Sequence, residues 1–399
     1  MTDTDIRKTL GLRPVINCSG TMTSLGASIV VPHAVETVAA VLSQWTEMSD
    51  LQRIASRTIA RLTGAEAGCV TASCSAAITL ACAAAMTGKD LAAIERLPDA
   101  SGLKDEIVIQ TGHMVSYGAP VEQGIRLSGA RVVPVGQATS AYAYQLAGAI
   151  TDKTAAAVYV ISHHVVDYGQ IPLETFCEVA HEKGVPVIVD AASEYDLEKF
   201  LKAGADLVLY SGHKFLGGPT SGIVAGTKDF VAACYLQNRG VGRGMKVGKE
   251  GVAGVIAALE AWERRDHAGI RAREQRALDL WQSTLEGRDG ITAIIDPDPT
   301  DNPLDRLKVL VDPEGANISA WDLADRMAQG DRPVIVRDHE VEHNYFYLDP
   351  CNLHPDEEIV VAERLTEELD AARKSNTPIV SDLRLRMLAQ ERAILNWPD

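Results

Sequence analysis

The sequence predicts an α/β protein with a large domain on a mostly parallel seven-stranded sheet and a small α+β C-terminal domain. Three observations carry this expectation. Seven short β-rich runs alternate with helical stretches from about residue 55 to 230. Several of those runs are apolar throughout, as strands covered on both faces are, rather than alternating in polarity. With 399 residues, the chain also exceeds the roughly 250–300 residues at which a single core stops growing.

The runs are GCVTA (68–72), EIVIQ (106–110), RVVPV (131–135), AAVYVI (156–161), PVIVDA (186–191), DLVLYS (206–211) and GIVAG (222–226). Between two of them, ETFCEVAHEKG (174–184) has the spacing of an amphipathic helix closed by Gly184, after which the next strand begins. From 248 to 287 apolar residues recur at three- and four-residue intervals, which predicts one long helix leading out of the large domain. Beyond it come strands at RLKVLVD (306–312), PVIVR (333–337) and YFYLDP (345–350), with helices at 318–329 and 357–375. The tail after Pro378 predicts a further helix. The domain boundaries expected are an N-terminal segment 1–30 near the active site, a large domain 31–250, a connecting helix 251–285 and a small domain 286–399.

The formal net charge is −16 and no Lys/Arg-rich tract occurs, which argues against broad nucleic-acid binding and against an anionic membrane partner. Any phosphate must then be held locally. The seven cysteines include no C-x-x-C pair, so neither a disulfide framework nor a zinc knuckle is expected. The N-terminus lacks an apolar signal core, and no uncharged apolar stretch approaches the roughly 20 residues of a membrane span. A cytoplasmic protein with reduced thiols is the resulting expectation.

The chemistry centres on VPVIVD, which ends on Asp190, and on DLVLYSGHKFLGGPTSG, which places Lys214 just beyond the next strand. A strand-end carboxylate and a lysine in a Gly-rich turn meet the needs of pyridoxal phosphate. The acid keeps the ring nitrogen protonated, and the amine captures the aldehyde as a Schiff base. An ordinary loop lysine is disfavoured by the surrounding Ser211, Gly212, His213, Gly217 and Gly218. For the cofactor phosphate, CVTASCSAAITLACAAA (69–85) passes from a strand into an Ala-rich helix, where Cys74, Ser75 and Ala76 would offer first-turn N–H groups to an anion. A plain Ser-rich helix cap is the competing reading, and Ser211 near Lys214 tips the balance to phosphate. His113, in QTGHMVSYGAP, is the candidate to pack on the ring, with a surface-loop histidine as its alternative.

His163 and His164 stand at a strand end, the edge at which open α/β sheets bind ligands, and either could move protons near neutral pH. A metal pair is disfavoured, because successive strand residues point to opposite faces. The loop NRGVGRGMKVGKEG (238–251) sets Arg239, Arg243, Lys246 and Lys249 among five glycines. In so acidic a chain it suits an anion, against the alternative of a solvated charge run. Arg337 closes PVIVR and could fork onto a substrate carboxylate; a surface ion pair is the other reading.

Together these motifs resemble the fold-type I pyridoxal-phosphate enzymes, and within them the selenocysteine-synthase-like group. The resemblance runs from RPVINCSGTMTSLG (13–26) to the small domain, through SHH (162–164), VDAASEYDL (189–197), YSGHKFLGGPTSG (210–222) and GVGRGMKVGKEG (240–251). It implies pyridoxal 5'-phosphate as cofactor, Lys214 as the lysine that binds it, Asp190 as the pyridinium partner and Ser75 with its neighbours as the phosphate cup. It further implies a homodimer or larger assembly with shared sites, in which the basic loop faces the active-site entrance across an interface. His213 before the lysine departs from the group and is read as another phosphate donor or acid. The transferase branch carries an added N-terminal tRNA-binding region, and this sequence has little before Arg13, so tRNA is not the expected substrate.

The activity expected is that of a lyase. It would eliminate water and then ammonia from a small β-hydroxy amino acid or amino sugar acid, leaving a 2-oxo acid. A racemase or epimerase, or an aminotransferase, would share the first proton transfer. A non-catalytic binding protein would have no use for Lys214 and Asp190 together.

Overall fold

A computed structural model describes residues 6–166 and 168–398. The chain divides into two compact units, Ser28–Arg265 and Met1–Ala27 with Asp266–Asp399.

Twelve strands are described. β1 (Ile16–Cys18) belongs to the second unit, and the first holds β2 (Ala67–Thr71), β3 (Glu106–Gln110), β4 (Arg131–Val135), β5 (Thr154–Val160), β6 (Val187–Asp190), β7 (Leu207–Ser211) and β8 (Gly222–Gly226). These seven form one sheet in the order β2-β8-β7-β6-β5-β3-β4. Neighbours from β4 to β7 are parallel, and β8 runs against both β7 and β2. Every residue of β5, β6, β7 and β8 is buried, which is why their sequences are apolar without alternation. The edge strand β4 is largely open to solvent and keeps Arg131 on its surface.

Parallel pairing of β5 with β6 requires a crossover, and the Leu173–Glu182 helix supplies it by burying Leu173, Phe176, Cys177 and Ala180. Gly184 follows at φ +69°, a conformation that costs glycine nothing. The Cys74–Thr87 helix is buried around nearly its whole circumference, and its alanines let it lie close against the sheet among Ile107, Ile109, Ile188 and Leu209.

β7 and β8 are antiparallel, so a short loop suffices between them, and that loop carries Lys214. Its backbone closes through Gly212 N to Ser221 O at 3.0 Å and Gly218 N to Gly212 O at 2.7 Å. A Cβ at Gly212 would stand 2.2 Å from Ser221 Oγ, so a side chain there would force the buried Ser221 hydroxyl to move. Ser28 Oγ donates to the carbonyls of His213 and Lys214 at 2.7 and 2.8 Å, pinning the turn from outside.

The single helix expected over 248–287 is two helices, Lys249–Glu263 and His267–Leu285. The first ends on Arg264 as its C-cap, and Asp266 starts the second: its carboxylate takes the Gly269 amide at 2.9 Å as an N-cap. The boundary between the two units falls at this same point.

In the second unit β1 pairs in parallel with β11 (Val334–Val336), while β9 (Ile291–Pro297), β10 (Asp305–Val311) and β12 (Tyr345–Leu348) form an antiparallel sheet in the order β12-β10-β9. Trp281, Phe346, Met327 and Leu365 fill its core. The tail forms the expected helix, Leu383–Leu395. All seven cysteines are unpaired. No helix among the described residues is long and apolar enough to cross a membrane.

Candidate active site

The carboxyl ends of β6 and β7 and the start of the Cys74–Thr87 helix bring the central residues together. Asp190, the last residue of β6, is 2 % exposed. Its Oδ1 accepts from the Ala192 amide at 3.2 Å and from the Cys74 thiol at 3.4 Å, and its Oδ2 from the Tyr117 hydroxyl at 2.9 Å. Burial raises the Asp190 pKa above that of an ordinary carboxylate, against which the Tyr117 hydroxyl, the Lys214 charge and the Cys74 thiol pull it down. The Lys214 ammonium donates to Ser193 Oγ at 2.6 Å, so a side chain three residues past Asp190 aims the lysine.

Cys74 opens its helix, and Ser73 caps it by accepting the Ala76 amide at 3.0 Å. Ala76, predicted as a phosphate donor, is therefore committed to the cap. The Cys74 and Ser75 amides are left as first-turn N–H groups without an intrahelical acceptor, and the Ser75 side chain is exposed. Burial raises the Cys74 thiol pKa well above its ordinary value, and Ser211, at the end of β7, pulls it down. His213 is 9 % exposed, and its Nδ1 is buried without a hydrogen-bond partner. Desolvation and then the adjacent Lys214 charge lower its pKa below the usual histidine value. An orphaned ring nitrogen beside an ammonium is a place suited to an anion.

His113 is not on the surface; it is 1 % exposed. Its Nδ1 accepts the Val160 amide at 3.1 Å, its ring lies edge-on to Tyr159 with centroids 4.4 Å apart, and burial lowers its pKa to about 4. Tyr117, four residues on, is the side chain of this loop that reaches Asp190. The sequence reading missed Tyr117, Ser193, Ser73 and Ser28. Ser193 sat in plain view within VDAASEYDL, whereas Tyr117 carried no signal beyond its loop.

His163 and His164 occupy the turn after β5, with ring centroids 4.7 Å apart. Arg239, Arg243 and Lys246 are exposed. Lys249, expected to join them, donates instead to the carbonyls of Leu42 and Gln44 at 2.9 and 2.5 Å, satisfying backbone acceptors at the C-terminal end of the Pro32–Leu42 helix. The loop's Gly242 packs against Gln237 and Leu80, and Gln237 bonds Thr87, so this part of the loop lies along the later turns of the Cys74–Thr87 helix. In the second unit Arg337 lies beside Arg306, and burial followed by that neighbouring charge lowers its pKa. Arg306 itself is paired to Asp298 and Asp349 at 2.8 and 2.9 Å.

The residues present fit pyridoxal phosphate: an amine at Lys214, a buried strand-end acid at Asp190, and, for the phosphate, the free amides at the start of the Cys74–Thr87 helix and the unpartnered Nδ1 of His213. Comparisons with known proteins agree. The profile of the L-seryl-tRNA selenium transferase family matches residues 15–278. The chain is 38% identical over 363 residues to a D-glucosaminate-6-phosphate ammonia lyase of Salmonella typhimurium, spanning 91% of this chain and 97% of the relative. It is 36% identical over 362 residues to a 5'-C-glycyluridine monooxygenase-decarboxylase of a Streptomyces species, spanning 90% and 91%. A solved structure of D-glucosaminate-6-phosphate ammonia-lyase superimposes with a TM-score of 0.84 at 37% identity, covering 94% of this chain and all of that one. Aspartate aminotransferase from Thermus thermophilus, at 16% identity and a TM-score of 0.55 over 92% and 93% of the two chains, shares the fold. The chain belongs to the L-seryl-tRNA selenium transferase family and is a pyridoxal-phosphate-dependent enzyme of fold type I.

Proposed function

We propose that this enzyme is an ammonia-lyase acting on a small anionic β-hydroxy amino acid, with a phosphorylated amino sugar acid such as D-glucosaminate 6-phosphate as the leading substrate. The observation that supports it is the Asp190–Lys214 pair, in which a buried acid and a seryl-oriented amine stand at adjacent strand ends. Likeness to the lyase over nearly its whole length supports the substrate class.

Bound pyridoxal phosphate supplies an electron sink for the substrate α-carbon. Asp190 holds the ring nitrogen's proton, while the His213 imidazole and the Cys74 and Ser75 amides hold the phosphate. Lys214 Nζ removes the α-proton, and Ser193 keeps that nitrogen in place. His163 or His164 donates a proton to the β-hydroxyl as its C–O bond breaks and water leaves. The unsaturated amine then takes up water and loses ammonia, giving a 2-oxo acid with no oxidant required. Arg239, Arg243 and Lys246 take the distal phosphate. The assembly is a homodimer or larger oligomer in which the basic loop serves a neighbouring subunit. We place the enzyme in the cytoplasm.

A screen of D- and L-hydroxy amino acids and amino sugar acids, with and without a terminal phosphate, tests this through 2-oxo-acid release. Turnover of the phosphorylated amino sugar acid without an amino acceptor is expected. Stereochemical inversion with no 2-oxo acid would overturn the lyase in favour of a racemase.

A further inference from the structure

Asp190 receives hydrogen bonds from two side chains that the reaction above does not use. Tyr117 approaches Oδ2 from the loop after β3, and Cys74 approaches Oδ1 from the first turn of its helix. Both have ordinary acidities far weaker than a carboxylic acid, and burial suppresses them further, raising the thiol well above 9.0 and the phenol above 10.0. In this cluster of three acids the negative charge therefore belongs to Asp190. The groups facing it are the Tyr117 hydroxyl, the Cys74 thiol, the Ala192 amide and the Lys214 ammonium. A carboxylate offers about four acceptor positions, and three are filled by Tyr117, Cys74 and the Ala192 amide. One remains for a ring N–H.

We propose that Cys74 and Tyr117 are positioning residues of the cofactor site: two neutral donors that keep the Asp190 carboxylate ionised and aim its remaining lone pair. The inference rests on the assignment of Asp190 to the ring nitrogen and is independent of the substrate. Loss of either donor leaves a buried carboxylate with less compensation for its desolvation, so its proton is held to higher pH.

The experiment reconstitutes wild type, Cys74→Ala, Cys74→Ser, Tyr117→Phe and Asp190→Asn with pyridoxal phosphate. It measures the dissociation constant and the pH profile of the bound cofactor's absorbance, with Tm as a folding control. For Cys74→Ala and Tyr117→Phe we expect cofactor affinity to fall about 10-fold, as for a lost hydrogen bond to a charged group. The acid-side midpoint of the absorbance should move upward, kcat should fall at unchanged KM, and Cys74→Ser should return all three toward wild type. Wild-type affinity and absorbance profile in Cys74→Ala and Tyr117→Phe, alongside an altered Asp190→Asn, would overturn the proposal alone. An Asp190→Asn protein that matches wild type in both readouts would overturn the assignment on which it rests. A changed Tm with an unchanged absorbance profile would mean that the two side chains are only structural.

Discussion

A short hydrogen bond to Ser193 helps position Lys214, and removal of the lysine separates binding from chemistry. Lys214→Ala is expected to lower kcat by at least ~10²-fold, the scale of a lost proton-transferring group, while the folded protein keeps wild-type Tm; retained activity would remove it from the mechanism. His213 offers a complementary test, since its Nδ1 is buried without a partner. A donor to the phosphate is worth about 1.5–3 kcal/mol when charge-assisted, so His213→Ala should weaken cofactor binding ~10- to 100-fold. Asp190 and Lys214 were legible in sequence because a strand end and a Gly-rich turn fix where a side chain points. The choice between His113 and Tyr117 was not. They lie four residues apart on an irregular loop, and only its backbone path decides which one turns inward to Val160 and which reaches Asp190.

At the scale of elements, the basic loop divides into residues that fold the protein and residues free to meet an anion. Lys249→Ala should lower Tm by removing two donors from backbone carbonyls and leave KM unchanged. Arg243→Ala should raise KM for a phosphorylated substrate about 10-fold or more and leave the unphosphorylated analogue unaffected. Equal effects on both substrates would end the distal-phosphate assignment. Local patterning found all seven strands of the large sheet as short β-rich runs, several of them apolar throughout. It joined the Lys249–Glu263 and His267–Leu285 helices, since the periodicity continues across ERRDHAG with no proline to stop it; the capping role of Asp266 exists only once the chain has turned. It also passed over β9, whose half-exposed ITAIIDP shows neither strict alternation nor full burial.

At the scale of the whole molecule, the pairing of β1 with β11 joins the two ends of the sequence in one unit, which no local pattern could announce. The path of the basic loop along the later turns of the Cys74–Thr87 helix, whose first turn faces Asp190, leads to a test of shared sites by subunit mixing. Lys214→Ala and Arg243→Ala proteins, each impaired alone, should regain about a quarter of wild-type activity when randomly reassorted as dimers, because one site per hybrid then has both residues intact. No recovery would mean that the loop serves its own subunit. The most direct test of the central claim is simultaneous measurement of ammonia, 2-oxo acid and dissolved oxygen during turnover of a phosphorylated amino sugar acid by the cofactor-loaded enzyme. The account predicts ammonia and 2-oxo acid in equal amounts with no oxygen consumed. Oxygen uptake with loss of carbon dioxide, or turnover without ammonia, would contradict it.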